Sequence, residues 1–462
     1  MKSILTKYIF FWISLTVTIL FQACDDFVEV NPPNTDLVQQ TVFTNEKTAL
    51  AAMSNLYADM AFAGFASGSS YSGYSLLAAF SADEWMSFGS HSPENQQFSD
   101  NNLIPTNNLV SSLWSDLYRY IYKSNALLEG LLQSRTLSDQ VRSQIEGEAR
   151  FIRAFSYFYL VNLWGDVPLA MTTDYRVNSQ LKRSPASEVY SLIVSDLVRS
   201  SELLSPTYSF SSNERIRPNK WVALAMLARV YLFMEEWTKA EEAASSVIDQ
   251  SEQYSLSYDL LNVFTKNSNE VLWQLHSIRF PLDLSAFTIF SGPSNGVMRN
   301  GLVEAFTEND KRFQEWIGMT SGSITHYFSR KYQDFQGVTE YSTVMRLSEQ
   351  FLIRAEARAH LGKLTGENSA IEDVNVIRLR AGLPEVNYSL QEDLLDEVIH
   401  QRRIELFCEW GHRWLDLKRT GRVETVMSQL KPATWQNTDV LYPIPEDQIM
   451  RSSILIVQNP GY

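Results

Sequence analysis

Residues Glu146 to Ala170 read EGEARFIRAFSYFYLVNLWGDVPLA. Between Phe151 and Trp164 the only clearly polar side chains are Arg153, Ser156 and Asn162, so a helix here is apolar nearly all round and has to be covered by others. Gly165 supplies a left-handed stop, and Pro168 shortly afterwards keeps the helix from restarting. The expectation from this stretch alone is an array of packed helices.

Working outward, the same periodicity recurs. Apolar positions Ala49, Ala52, Met53, Leu56 and Met60 predict a helix from Asn45 to Phe62, followed by Gly- and Ser-rich residues from Gly64 to Gly73. A short helical run around Leu76 to Phe80 gives way to a long polar loop from Ser81 to Asn108, and helices return over Leu113 to Leu132, Ser138 to Trp164 and Pro185 to Leu204. Arg217 to Gln250 is the clearest repeat unit, with Pro218 in a first turn and Leu227, Ala228, Tyr231, Ala240 and Ala244 at tetratricopeptide-like spacing. Degenerate hairpins of this kind also fit Ala154 to Gly165 and Phe351 to Leu379, and such units need neighbours to bury their apolar faces. Between Tyr254 and Tyr341 the pattern changes: EVLWQLHSI at Glu270 to Ile278 reads as a strand, and turn residues crowd the segment through Gly296. Helices over Val344 to Gly362, Asn368 to Arg380 and Gln391 to Thr420, then an extended tail from Leu441 to Tyr462, complete the chain.

The first residues bear on the compartment. Lys2 and Lys7 precede an apolar run from Tyr8 to Phe21, too short and too rich in Ser and Thr for a membrane span, and Gln22-Ala23-Cys24 follows. This is the pattern of a signal peptide over residues 1–23. A small residue directly before Cys24 resembles the bacterial lipobox, in which the cysteine is acylated and becomes the new N-terminus, and Asp25-Asp26 resembles the surface-export tag of Bacteroidota lipoproteins. Cys408 is the only other cysteine, so no disulfide framework competes for Cys24. Residues 24–44 then form a lipidated start and an extended tether, and residues 45–462 a single domain with a loop-rich insertion at about 254–341. The net charge of −14 repels phosphate backbones, so no nucleic-acid partner is expected.

Taken together, several stretches resemble the SusD/RagB family of outer-membrane lipoproteins: CDDFVEVNPPN from Cys24, the Glu146 to Ala170 block, RPNKWVALAMLARVYLFMEEWTKAEEAA from Arg217, FLIRAEARAHL with VNVIRLRAGLP, RRIELFCEWGHRWLDLKRTGR from Arg402, and YPIPEDQIMRSSILIVQNPGY at the end. They run in family order over nearly the whole chain. The resemblance implies a mainly all-α fold, with tetratricopeptide-like helical hairpins in a right-handed array, a loop-rich ligand face and a few short strands. It also implies a lid on a SusC-like TonB-dependent transporter that captures oligosaccharides, or peptides in the RagB branch, at the exterior face of the outer membrane, without a reaction and without a cofactor.

Reactive motifs are missing from the sequence: H-E-x-x-H, C-x-x-C and G-x-S-x-G do not occur, and the six histidines are scattered from His91 to His412. No metal site is expected. Asp83-Glu84, beside Trp85, is the place to seek a glycosidase pair, although a solvated or capping pair is the plainer reading. A glycan site needs aromatic faces for the C–H side of a sugar and amides or guanidinium groups for its hydroxyls. The loop after Ser81 offers Trp85, Phe88, His91, Asn95, Gln96, Gln97 and Phe98. The later insertion adds Phe287, Phe290, Asn295, Trp316 and Tyr327. For any one ring, pinning its loop to the scaffold is an equal alternative to touching ligand. The charged stretch Arg402 to Arg422 reads as a structural ion-pair network on one helix, with Glu409 meeting Arg413 four residues on, and Cys408 as a buried, inert thiol.

Overall fold

The computed structural model describes residues 42–62, 64–66, 72–87, 92–276, 296–334, 339–452 and 456–462. Its elements are α1 (Glu46–Phe62), α2 (Tyr74–Ser81), β1 (Trp85–Ser87), α3 (Pro93–Asp100), α4 (Asn108–Gln133), α5 (Asp139–Trp164), β2 (Val167–Pro168), β3 (Arg183–Ser184), α6 (Ala186–Leu203), α7 (Lys220–Phe233) and α8 (Trp237–Ile248). They continue as β4 (Val271–Leu275), β5 (Gly296–Met298), α9 (Lys311–Trp316), β6 (Ile317–Met319), β7 (Tyr327–Ser329), β8 (Ser342–Arg346), α10 (Leu347–His360), α11 (Ala370–Arg380), α12 (Gln391–Glu405), α13 (His412–Arg419), α14 (Val423–Leu430) and α15 (Glu446–Arg451). Helices adjacent in this order pack on one another from α4 to α8, α8 packs on α10, and α10 on α11 and α12. Phe43 to Tyr462 form one compact unit.

Helix α5 is the centre of the array. The Ser138 hydroxyl caps it by accepting the Val141 N–H, and Gly165 ends it at φ +74°. From Phe151 to Trp164 every residue except Asn162 is buried. The polar exceptions in this helix have partners. Arg153 donates to both carboxylate oxygens of Asp196 on α6 (2.7 and 2.8 Å) and to Asn125 Oδ1 on α4 (2.9 Å), so one side chain joins three helices. Ser156 Oγ donates to Ile152 O, and Asn162 Nδ2 to Phe158 O. The α7/α8 hairpin closes tightly because buried Ala225, Ala228, Ala240 and Ala244 let the helices approach.

Local structure departs from the sequence-based expectations at five places. Pro218 lies outside its helix, and the cap of α7 is Asn219, whose Oδ1 accepts the Trp221 and Val222 N–H groups. The polar segment after Ser81 is not a continuous loop: Ser92 accepts the Asn95 N–H and Pro93 occupies the first turn, which is enough to nucleate α3. Residues 344–346 belong to β8, paired antiparallel with β4, so α10 starts at Leu347. The tail contains the short helix α15. The predicted helix 391–420 breaks between α12 and α13, where Cys408, Trp410 and Gly411 all have positive φ (57°, 45° and 68°). That break buries Phe407 and Trp410 in the core, Trp410 lying edge-on to Phe155 at 5.6 Å.

Charge, as well as apolar surface, fills the interior beside this break. Arg346 reaches Glu270 (2.9 Å), Glu405 (2.5 Å) and Glu409 (2.9 Å). Arg380 joins Glu270 at 2.7 Å and also pairs with Glu405, Arg312 bridges Asp310 and Glu405, and Lys331 joins Glu409 at 2.6 Å. All of these side chains are buried. Burial pushes the Glu405 carboxyl upward, but Arg380, Arg346 and Arg312 outweigh it and hold the group well below the ordinary carboxylate range. The ion-pair expectation for this stretch is met with different partners. Glu409 pairs with Lys331 and Arg346, and Arg413 with Asp83, because the break takes the two residues off a common helical face.

Candidate functional site

Strands β1 and β5 form an antiparallel ribbon in which Trp85 pairs with Met298, Met86 with Val297 and Ser87 with Gly296. Ser87 immediately precedes Phe88, and Gly296 immediately follows Asn295. Two sequence regions some two hundred residues apart are thus rooted at the same end of one ribbon. Gly296 is required there because a Cβ would come within 2.5 Å of Trp85 Cδ1, so the indole lies against bare backbone. Arg299 locks the base: its N–H donates to Glu84 O (2.9 Å), its Nε to Trp85 O (3.0 Å) and its Nη2 to Ser99 O (3.4 Å). Ser87 N–H donates to Ser99 Oγ at 3.1 Å, which ties α3 to the same frame. Beside β5 packs β7, paired with β6 so that Tyr327 faces Met319 in register.

Beneath the ribbon, Asp83 and Glu84 are buried rather than solvated. Arg413 clamps Asp83 with Nε and Nη2 (2.7 and 2.9 Å), and Arg403 adds a third contact at 2.9 Å. Burial raises the Asp83 carboxyl, yet the Arg413 hydrogen bonds and the charges of Arg413 and Arg403 bring it below its usual value. Glu84 has no such clamp. It accepts the Cys408 N–H at 3.3 Å, and burial followed by the adjacent Asp83 charge pushes it up to about 8, so it is protonated at neutral pH. Cys408 is a buried free thiol, pushed well up by burial and by Glu84.

Glu84 therefore gives the fold a pH dependence. Below the ordinary carboxylate pKa it is protonated in both states and contributes nothing. Between there and about 8 the unfolded chain ionises while the folded chain does not, so stability falls as pH rises, by up to ~1.4 kcal/mol per pH unit, and levels off above 8. Glu84→Gln keeps an acceptor for Cys408 N–H and removes this slope. Urea midpoints at pH 5.5 and 8.5 are expected to fall with pH more steeply in the unaltered chain than in the variant. Parallel lines would refute the protonated state.

Placement of the candidate ligand residues separates them into groups. Trp85 and Phe98 are fully buried, and Asn95 nearly so. Strand alternation turns Trp85 inward, and α3 puts Asn95 and Phe98, three apart, on its inner face, where Phe98 stands edge-on to Tyr442 at 5.4 Å. Trp316 is likewise buried, its Nε1 donating to Leu260 O. These rings pin the platform to the scaffold, and the expectation that their faces lie open is not met. Gln97 accepts from Asn107 Nδ2 at 2.8 Å, and exposed Gln96 donates to Asp100. Tyr327 is half-buried on β7, opposite exposed Met319 in the β6–β7 hairpin. Phe88, His91, Phe287, Phe290, Asn295 and Cys24, the expected anchor, lie outside the described residues. Sequence reasoning missed Arg299 and the Asp83 to Arg413 clamp. Neither has a local signal, since their partners are up to 330 residues away. Among the described residues no group of three or more His, Cys, Asp or Glu is arranged to hold a metal ion, and no helix is long and apolar enough to cross a membrane.

Comparison with known proteins bears on this arrangement. Residues 26–232 match a family described as SusD-like, "Starch-binding associating with outer membrane", and residues 319–462 match the SusD family proper, SusD_RagB. The chain belongs to the SusD/RagB family. SusD-like protein P2 of Formosa agariphila is 28% identical in an alignment that takes in 99% of this chain and all of that relative. Among solved structures, a SusD superfamily protein from Bacteroides vulgatus superposes with a TM-score of 0.80 at 20% identity, covering 91% of this SusD-like chain and all of that one. A laminarin-binding SusD-like protein does so with a TM-score of 0.75 at 24% identity, with coverage of 91% and 100%. These likenesses establish the mainly helical, tetratricopeptide-like fold.

Proposed function

We propose that this SusD-like chain is a lipoprotein of the outer membrane, anchored through Cys24 and facing the exterior, that binds a glycan and delivers it to a SusC-like TonB-dependent transporter. The observation that carries the glycan reading is the Ser87 to Gly296 pairing, with β7 and its half-buried Tyr327 packed beside β5; in the sequence Phe88 follows Ser87 directly, and Phe287, Phe290 and Asn295 come shortly before Gly296. Aromatic rings and amides, the residue types that the sequence carries next to these two strands, have the chemistry that a sugar ring requires. The laminarin-binding neighbour, with the same fold, supports the ligand class. In this reading the protein binds its ligand without turnover, and Asp83 and Glu84 serve the scaffold, being buried and committed to Arg413, Arg403 and Cys408.

A glycan array probed with residues 25–462, run beside pull-downs on insoluble polysaccharides and on peptide mixtures, tests the proposal. Retention by polysaccharide is expected, and retention by peptides alone would favour a RagB-like peptide binder. Tyr327→Ala is expected to weaken glycan binding about fivefold to tenfold, the equivalent of ~1–1.4 kcal/mol for one stacking ring. Full affinity in that variant would remove β7 from the site.

A further inference from the structure

A groove of about 450 Å³ runs along α4, walled on the other side by the segment after β2 and by α15. It shares no lining residue with the β1–β5 platform. We infer that this groove is a second saccharide-binding site, so that one chain grips a polymeric glycan at two places. The inference rests on the glycan reading above.

Its near wall is a helical stripe, Trp114, Tyr118, Tyr122 and Asn125, spaced by four, four and three residues. Two of these are held rigidly: Tyr118 Oη donates to Pro168 O at 2.8 Å, and Asn125 donates to Ala170 O at 2.9 Å while accepting from Arg153. Tyr122 is 53% exposed and offers an open ring. The far wall mixes apolar Leu181 and Ile456 with polar Thr172, Asn178, Gln448 and Arg451. Asn178 donates through Nδ2 to Thr172 O at 2.8 Å, but its Oδ1 is buried without a hydrogen-bond partner, a deficit that a donor hydroxyl relieves. Arg451 projects into solvent, its nearest carboxylate, Asp447, 3.7 Å away. None of the lining residues carries a carboxylate, so nothing there selects a cation. Aromatic rings on one side, apolar side chains beside hydroxyl, amide and guanidinium groups on the other, and a volume in the range of small-ligand sites together fit the apolar face and hydroxyl rim of a neutral polyhydroxylated ring.

Two sites on one chain raise the apparent affinity for a polymer above that for its fragments, because the second contact becomes intramolecular. The full chain in detergent is run through native gels containing laminarin, starch or xylan, and titrated calorimetrically with oligosaccharide fragments of whichever polymer retards it. The expected result is two fragments bound per unaltered chain and one per Tyr122→Ala chain, with retardation by polymer about tenfold weaker in the variant. Tyr122 is half exposed, so this variant keeps its fold. Asn178→Ala is expected to act in the same direction. Retardation and stoichiometry unchanged in both variants would overturn the second site and leave the platform reading intact. An unaltered chain that no polymer retards and no array glycan binds would sink both.

Discussion

Arg346→Ala is expected to lose about 3–5 kcal/mol of stability and much of its soluble yield, because the substitution strands carboxylates that cannot reach water. The guanidinium makes contacts with Glu270, Glu405, Glu409, Ser348 and the Glu405 carbonyl, all in the interior. Arg380, Arg312 and Lys331 remain, but each is already engaged with its own partners, so Glu409 and Glu270 each lose a neutralising neighbour. Lysine is a poor replacement, since one ammonium cannot span several carboxylates with a planar fork. Arg422, paired with Asp396 where both side chains are about half exposed, is the control, and Arg422→Ala is expected to change stability by less than about 1 kcal/mol. Urea denaturation of the two variants at pH 7 makes the comparison. Equal, small losses would mean that the buried cluster is not a structural hub.

The second large effect is expected at the α12 to α13 break. Gly411 sits at φ +68°, and a Cβ there would lie 2.7 Å from Tyr74 Cζ and 2.8 Å from Ala78 Cβ on α2. Gly411→Ala therefore combines a left-handed backbone penalty of about 1–2 kcal/mol with overpacking of about 1–3 kcal/mol. Gly362, in the turn after α10, has φ +76° but nothing within 4 Å of the position a Cβ would take. Its alanine variant carries the backbone penalty alone. The difference between the two urea midpoints thus measures the packing of the break against α2, and indistinguishable midpoints would show that α2 yields freely.

Much of the scaffold was legible because its signals are local. The all-apolar run of α5, the Gly165 stop and the small residues of the α7/α8 hairpin each act within a few residues of themselves. Short elements were less visible. Ser92-Pro93 can start α3 in a polar segment without any apolar periodicity to announce it, and β8 occupies a run that also suits the start of a helix. The break at Leu406 to Gly411 was hidden for a different reason. Remote partners, Glu84 accepting the Cys408 N–H and Ser75 Oγ accepting the Trp410 N–H, together with the interior positions available to Phe407 and Trp410, favour positive φ at Cys408, Trp410 and Gly411 over a continued helix.

The candidate site divides in the same way. That aromatic and amide residues cluster after Ser81 and again before Gly296 is a property of composition, visible in the chain itself. Whether a given ring faces ligand or core depends on strand alternation and helix phase relative to neighbours that are distant in sequence, which is why Trp85, Phe98 and Trp316 proved to be anchors. The sequence by itself determined the helical repeat array and the family, because periodicity, caps and small-residue contacts are encoded over ten to thirty residues. Only the tertiary structure decided which charges meet in the interior, which aromatics remain open, and that Ser87 and Gly296 bring two remote segments to one ribbon. Those outcomes depend on burial and on pairings across hundreds of residues, and no local pattern carries them.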